Sequence, residues 1–528
     1  MPEIAEPNAV PQSHGKYLTW AALLGLIALA LYLAFRFTIN ALPLQPDEAD
    51  VIFGPEWSVS RGLPSSAGIY PGFPHLFFSF FSSIFTPFLP KDPIIAPWVV
   101  SRAINLALYG LNIAIFFLAS RNFLSRPWAF LAALVFALSP GVFFSAIFVK
   151  TESLLLLGIC ASLFFGGRLA DDPQQIRWHA LLGVCAGLTV AVKFNPFPVL
   201  VWAAALWLAR DRIDFRRSLS ATGIFILAAL ASTALMWPGI FDLSAYSAQR
   251  FKIDIYFENA PSAFRGVDEL FAFPYGRFSY GLCLILPFAA GPLNYLAALV
   301  GLMFSAAPKR VLALWGIASA CYLLAALWVT LIRPAWLFTP AIPVISIGCV
   351  FFWKRIWEGF GKTGMVAAFV GMALVVAVSF YQYPAAAMGI NETIKAQAEG
   401  LAEAFRLSGQ GRPLGRDDVL LLTNSGLAVH QRYAAQSPSK TVMERRPQYI
   451  LVLDSYLKNF CKYRKNPGYA VQCAFFGRLM EGREGYSPVW TRRIDFPLRS
   501  WSPDPEGSMT VRLLRRNGQP PAKKGSGL

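Results

Sequence analysis

Residues 128–167 read WAFLAALVFALSPGVFFSAIFVKTESLLLLGICASLFFGG. Two apolar runs, 128–148 and 152–167, meet across a turn that holds Lys150 and Glu152. Each run approaches the ~20 residues that a bilayer core requires. The turn is too short to let them separate, so the stretch predicts a membrane hairpin with its ionisable residues at one boundary. The pair 178–193 and 195–209, joined at Phe194, reads the same way. Working outward, further apolar stretches fall at 17–36, 97–119, 218–237, 279–305, 311–331, 335–353 and 364–383, which makes eleven expected spans. The first is not expected to be a cleaved signal peptide. Its apolar core is too long, and Phe35-Arg36-Phe37 stands where small residues would mark a cleavage site.

Composition agrees. Of the 528 residues, 55% are hydrophobic and only 15% charged, and the mean hydropathy is +0.47. Soluble domains carry about 25% charged residues. The balance excludes a disordered chain, a coiled coil and an ordinary cytosolic enzyme. Seven cysteines are too few for a disulfide framework. There is no Walker A motif and no glycine-rich dinucleotide fingerprint, and no nucleic-acid partner is expected.

Orientation follows from basic residues in short loops. With the N-terminus inside, the inner loops carry Arg121, Arg126, Arg168, Arg177, Arg210, Arg212, Arg216, Arg217, Lys309, Arg310, Lys354, Arg355 and Lys362. The short outer loops carry Lys150, Lys193 and Arg333. Thirteen against three predicts a cytoplasmic N-terminus. An odd number of spans then sets the C-terminal region outside a plasma membrane, here read as a bacterial inner membrane. The segment 70–81, YPGFPHLFFSFF, reads as an amphipathic helix lying at the outer interface.

Beyond residue 383 the character changes. From residue 384 onward 22 Lys/Arg face 12 Asp/Glu, so much of the formal net charge of +17 sits there. Residues 418–423 and 448–454 read as buried strands. Residues 391–407 read as a helix with Ile394, Ala398, Leu401 and Phe405 on one face. The expected fold class is therefore an all-α polytopic membrane domain, residues 1–383, followed by a small external α/β domain, residues 384–528. Cys461 and Cys473 would meet an oxidising compartment, where a disulfide is open to them.

Ionisable residues at membrane depth are costly and often functional. Asp47, Glu48 and Asp50 open the first outer loop, and His75 lies in the interfacial segment. Arg102 falls near the outer end of its span, and Lys150, Glu152, Lys193 and Arg333 occupy outer turns. Short turns force several of these toward one outward cleft. Blander readings stand beside this one. Asp47-Glu48 fits a solvated pair, and Lys150 with Glu152 fits an ion pair closing a turn. Lys193 fits a side chain reaching for headgroups, Arg333 an interface anchor, and His75 a polar tip. If the groups do converge, a carboxylate can serve as general base toward a hydroxyl, and Lys and Arg can hold a phosphate leaving group. The outer compartment lacks nucleotides, so an activated donor would arrive through the membrane.

The ordered series of motifs resembles the GT-C class of membrane glycosyltransferases, in particular the protein O-mannosyltransferase and lipid A aminoarabinose transferase group. The residues that carry it are Pro46-Asp47-Glu48-Ala49 with Ser60-Arg61-Gly62-Leu63-Pro64, Pro71-Gly72-Phe73-Pro74-His75-Leu76, Ser101-Arg102-Ala103-Ile104-Asn105, Lys150-Thr151-Glu152, the Gly183–Lys193 span and Arg333 through Pro343. The histidine follows its proline instead of preceding a Pro-Pro pair, and Arg333 is followed by Pro instead of Tyr. The resemblance implies a polyprenyl-phosphate-linked sugar donor, a lipid, polysaccharide or protein acceptor, and an inverting displacement amid membrane lipids. It implies Asp47 as general base and Glu48 orienting the acceptor or a metal. Lys193 and Arg333 would hold the donor phosphate, with Arg102 and Lys150 as further candidates and Glu152 pairing with one of these cations or contacting sugar hydroxyls. A divalent metal stays open, with His75 as its candidate ligand. The rival readings are a transporter or flippase of a lipid-linked glycan without catalysis, opposed by the lack of an inverted repeat, and a membrane scaffold with a basic outer domain.

Overall fold

The computed structural model describes residues 12–38, 51–52, 72–89, 95–193, 195–238, 282, 286–304, 309–310, 313, 316–317, 319–320, 339–408, 418–422, 438–454, 461, 467–495 and 508–518. The helices are α1 (Gln12–Thr38), α2 (Phe73–Phe85), α3 (Ile95–Ser120), α4 (Arg126–Leu138), α5 (Pro140–Ile147), α6 (Thr151–Asp171), α7 (Ile176–Lys193), α8 (Phe197–Leu208), α9 (Phe215–Met236), α10 (Leu286–Ala290), α11 (Pro292–Phe304), α12 (Ile342–Gly359) and α13 (Gly361–Ser408). The C-terminal part adds β1 (Val419–Leu422), α14 (Pro438–Arg445), β2 (Tyr449–Leu453), α15 (Pro467–Met480), β3 (Tyr486–Asp495) and β4 (Ser508–Arg516). The fold class is the expected one: an apolar helical bundle with a small mixed α/β unit at its C-terminal end.

Among the described residues seven helices are long and apolar enough to cross a bilayer, or eight if the bent pair α4–α5 is one span. Eleven were expected, and the difference has local causes. The stretch 128–148 is not straight: α4 and α5 meet at 59°, where Ser139 is extended and Pro140 opens the next helix without an amide hydrogen to continue the ladder. The stretch 195–209 folds as α8, whose 12 residues rise only about 18 Å, too short to span. The stretch 279–305 is divided at Gly291, which adopts a left-handed φ of 93° between α10 and α11. Most of 311–331 lies outside the described residues.

A bent backbone at membrane depth must have its freed carbonyls satisfied by protein. α3 does this. Asn105 Nδ2 lies 2.8 Å from the carbonyl oxygens of Ser145, Ala146 and Phe148 and donates to them at the end of α5. Tyr109 donates to the Ala137 carbonyl at 2.6 Å, at the end of α4. Asn112 donates to Ser153 O at 2.9 Å. Positions 105, 109 and 112 share one helical face, so α3 holds the α4–α5–α6 unit through a polar ladder inside an apolar bundle. On the far side, α7 packs on α9 at close range. A Cβ at Gly183 would come 2.4 Å from Phe225 O, and one at Gly187 would come 1.9 Å from Ser232 Oγ. This is the small-xxx-small spacing that brings membrane helices together.

α13 has 48 residues, a rise of about 72 Å and more than twice the hydrocarbon thickness. Its first 19 residues form a span, and the helix carries the chain without a break past residue 384 onto the sheet. The sheet order is β1-β2-β4-β3. β1 and β2 are parallel, with Val419 opposite Tyr449. β4 is antiparallel to both β2 and β3. β2 is buried on both faces. Tyr449, Leu451 and Leu453 join the core under α13, while Ile450 and Val452 join Phe475, Phe476 and Leu479 of α15. The face of α13 differs from the sequence expectation. Ala396, Gln397 and Ala404 are buried, while Phe405 is 55% exposed. The reason is close approach: a Cβ at Gly400 would meet Leu451 Cδ1 at 2.5 Å and Trp490 at 3.1 Å. At Gly400 no side chain fits. Cys461 and Cys473 form a disulfide.

Candidate functional site

α6 begins, and α7 ends, at the same end of the bundle. Glu152 lies in the first turn of α6 and Lys193 in the last turn of α7. A helix N-terminus favours an anion and a C-terminus a cation, so the backbone prepares both positions for their charges. The two side chains form an ion pair. Thr151 Oγ1 donates to the other carboxylate oxygen of Glu152 at 3.2 Å. Glu152 is 2% exposed and Lys193 13%. The Lys193 turn is itself braced. Thr189 Oγ1 donates to Asn195 O at 3.1 Å, and Asn195 Oδ1 accepts from Phe197 N at 2.9 Å, capping α8.

Lys150 precedes α6 in an extended conformation and is buried, as is Arg102 on α3. Arg102 lies seven residues inside the start of α3, about 10 Å along its axis. Lys150 is two residues from Glu152, whereas Arg102 lies ten residues, about 15 Å along α3, before Asn112, the α3 residue that meets Ser153 at the start of α6. Lys150, Glu152 and Lys193 thus lie at the start of α6, with Arg102 nearer the start of α3. Burial of so many charges is costly unless they answer one another or a ligand.

His75 stands on α2, which packs on both α3 and α7. Its Nδ1 lies 3.3 Å from Val51 O and 3.2 Å from Ser79 Oγ. Ser79 Oγ also donates to Ile52 O at 3.3 Å. A carbonyl only accepts, so in the contact with Val51 O the Nδ1 nitrogen is the donor. This contact ties α2 to residues 51–52, directly after the Asp47-Glu48-Ala49-Asp50 string. The expected amphipathic helix is present as α2, shifted to Phe73–Phe85. Pro74, Phe78 and Ser82 are buried, with Ser82 3.2 Å from Ser101 Oγ. Leu76 and Phe80 on the opposite face are exposed.

Of the residues singled out from the sequence, the structure joins Lys193 to Glu152 and gathers Lys150, Arg102 and His75 on elements packed around them. The turn ion pair considered for Lys150 and Glu152 gives way to a pairing between helices. Asp47, Glu48 and Arg333 lie outside the described residues. Among the described residues no three His, Cys, Asp or Glu side chains form a metal-binding group. Asn105 was passed over as a functional position, although it determines where the backbone leading to Lys150 runs. Its signal was readable: Asn105, Tyr109 and Asn112 repeat at helical spacing in an otherwise apolar span.

Residues 96–237 match the family model described as dolichyl-phosphate-mannose-protein mannosyltransferase. That segment runs from α3 through α9 and contains Arg102, Lys150, Glu152 and Lys193. The match bears out the resemblance to the protein O-mannosyltransferase group over this segment. The chain matches no curated protein sequence. Among solved structures it is similar to ArnT from Cupriavidus metallidurans bound to undecaprenyl phosphate, at 13% identity and a TM-score of 0.49, covering 93% of this chain and 97% of that one. It is similar to the Archaeoglobus fulgidus oligosaccharyltransferase tethered with an acceptor peptide, at 13% identity and a TM-score of 0.47, covering 86% and 71%. It is also similar to the mycobacterial arabinofuranosyltransferase AftD, at 15% identity and a TM-score of 0.46, covering 94% of this chain and 40% of that one.

Proposed function

We propose that the chain is an integral membrane glycosyltransferase that moves a sugar from a polyprenyl-phosphate-linked donor to an acceptor hydroxyl at the outer membrane boundary. The observation that carries this reading is the buried Glu152–Lys193 pair, with buried Lys150 two residues before Glu152 and buried Arg102 on the adjoining α3, inside the segment that matches the mannosyltransferase family model. A lipid phosphate is a monoanion or dianion held at membrane depth, and a set of Lys and Arg side chains near the bilayer boundary suits it.

In the proposed reaction the Asp47 carboxylate takes the proton of the acceptor hydroxyl as general base. The acceptor oxygen attacks the anomeric carbon from the face opposite the phosphate, and a new glycosidic C–O bond forms. The anomeric C–O bond to phosphate breaks, its electron pair leaves with the polyprenyl phosphate, and configuration inverts. Lys193, Arg333, Arg102 and Lys150 stabilise the charge growing on the phosphate. Glu48 orients the acceptor. Glu152 holds the Lys193 ammonium in place. The Cys461–Cys473 disulfide supports placement of the C-terminal unit in an oxidising, extracytoplasmic compartment.

The test is transfer from a radiolabelled polyprenyl-phosphate sugar by purified protein in liposomes. Asp47→Asn is expected to abolish transfer while membrane insertion and folding persist, and full activity in that variant removes Asp47 from the mechanism. Movement of a lipid-linked glycan across the liposome membrane without sugar transfer would favour the flippase reading instead.

A further inference from the structure

The far end of α6 carries a second charged site. Arg168 lies 16 residues after Glu152, roughly 24 Å along the helix, so the two sites face opposite leaflets of a bilayer with a ~30 Å core. There Arg121, Asn122, Arg168, Asp171 and Arg310 line a cavity of about 290 Å³, walled by Leu118 and Phe164. A water molecule in the liquid occupies only about 30 Å³. Arg310 forms an ion pair with Asp171, and its Nη1 donates to Asn122 O at 3.4 Å. The Arg168 guanidinium lies 5.4 Å over the Phe164 ring. Three guanidinium groups thus meet one carboxylate. Burial holds the Arg121 guanidinium below its ordinary pKa, and repulsion from Arg126 and Arg168 adds to this. The cavity is an electropositive concavity, not a neutralised one.

Arg310 also lines a shallow apolar groove between α6 and α8, with Leu163, Val201, Ala204, Leu208 and Ile317. A charged cavity at headgroup height and an apolar groove therefore share one wall. We infer that this is a binding site for an anionic phospholipid of the leaflet opposite the Glu152–Lys193 pair, with its phosphate among Arg121, Arg168 and Arg310 and the first part of an acyl chain against the shallow α6–α8 groove, whose volume is about 30 Å³. The net positive charge selects an anionic headgroup over a choline headgroup, whose own cation the arginines repel. The apolar groove selects a lipid over a soluble phosphate.

Native mass spectrometry of the full chain in detergent tests this, with phosphatidylglycerol and phosphatidylcholine as probes and glycerol phosphate as competitor. Phosphatidylglycerol is expected to be retained about tenfold more strongly than phosphatidylcholine, since both carry the same phosphodiester charge but only choline adds a cation that the arginines repel. The double variant Arg121→Gln/Arg168→Gln should cut that retention about a hundredfold, while Arg216→Gln, an exposed arginine outside the cavity, leaves it intact. Ala204→Phe, which fills the groove and keeps every arginine, should weaken the lipid and spare the glycerol phosphate. Equal retention of the two lipids by the wild-type protein overturns the proposal, as does unchanged retention in the double variant. Displacement of the lipid by glycerol phosphate at equal concentration overturns the lipid assignment and makes the cavity a soluble-anion site.

Discussion

Replacing Glu152 with Gln keeps the size of the side chain and removes its charge. Thr151 keeps an acceptor, but Lys193 loses the Glu152 charge in a setting where it is only 13% exposed. Removing one partner of a buried ion pair costs about 3–5 kcal/mol. The C-terminal end of α7 still offers Lys193 roughly 0.3–1 kcal/mol of favourable interaction, and its partial exposure admits water. The expected loss is therefore about 2–4 kcal/mol. Lys193→Met should cost a similar amount by stranding Glu152, which is more deeply buried. The double variant strands neither charge, so the two effects should not add, and a four-protein cycle should show coupling of about 1–3 kcal/mol. Denaturant unfolding in mild detergent supplies the four values. A functional arm separates the two residues. Added polyprenyl phosphate should stabilise Glu152→Gln more than wild type, because a competing carboxylate is gone, and should not stabilise Lys193→Met. Single-variant losses below about 0.5 kcal/mol that add in the double variant would refute the pairing. Equal stabilisation of Lys193→Met and wild type by the lipid would refute the phosphate role of Lys193.

Asn105→Ala removes a donor shared by three buried carbonyls and is expected to cost about 2–4 kcal/mol and most of the transfer activity. Retention of wild-type melting would show that water replaces the amide. Gly187→Leu puts a side chain against Ser232 and the Ala229 carbonyl and should lower stability by about 1–3 kcal/mol; melting of the variant in detergent checks this, and an unchanged midpoint would mean that α7 and α9 are not in close contact. The C-terminal unit should loosen in acid. Arg492 donates to Glu399 and, at 2.7 Å, to Glu392, and the hydrogen bond from Arg492 holds the Glu399 carboxyl below the usual carboxylate pKa. A carboxyl depressed on folding contributes above its unfolded pKa of about 4.3 and loses that contribution as pH falls through the lower folded value. Glu399 is well exposed, so the contribution stays under about 1 kcal/mol. Protection factors at the α13–β3 seam, taken relative to the intrinsic exchange rate at each pH, should fall between pH 6 and pH 3 in wild type, and less so in Arg492→Leu; equal pH response in both would rule the contact out.

Read alone, the chain already determined its membrane character, the tight turns at Lys150 and Lys193, and the presence of β1 and β2. These follow from long apolar runs and continuous buried strands, whose signal is local and repeats within a few residues. β3 and β4 escaped because arginines interrupt them, as in Arg492-Arg493 and Val511-Arg512-Leu513, so they lack the apolar run of a doubly buried strand. The bend at Ser139-Pro140 and the shortness of α8 were also beyond reach, since a composition window averages over a break. Which cation meets Glu152 was decided only in three dimensions. Lys150 is nearer in sequence, but the antiparallel packing of α6 and α7 sets a helix N-terminus beside a helix C-terminus, and their fields favour Glu152 with Lys193. The apolar pattern states which surfaces leave water; it does not state which distant charges then share the space they leave.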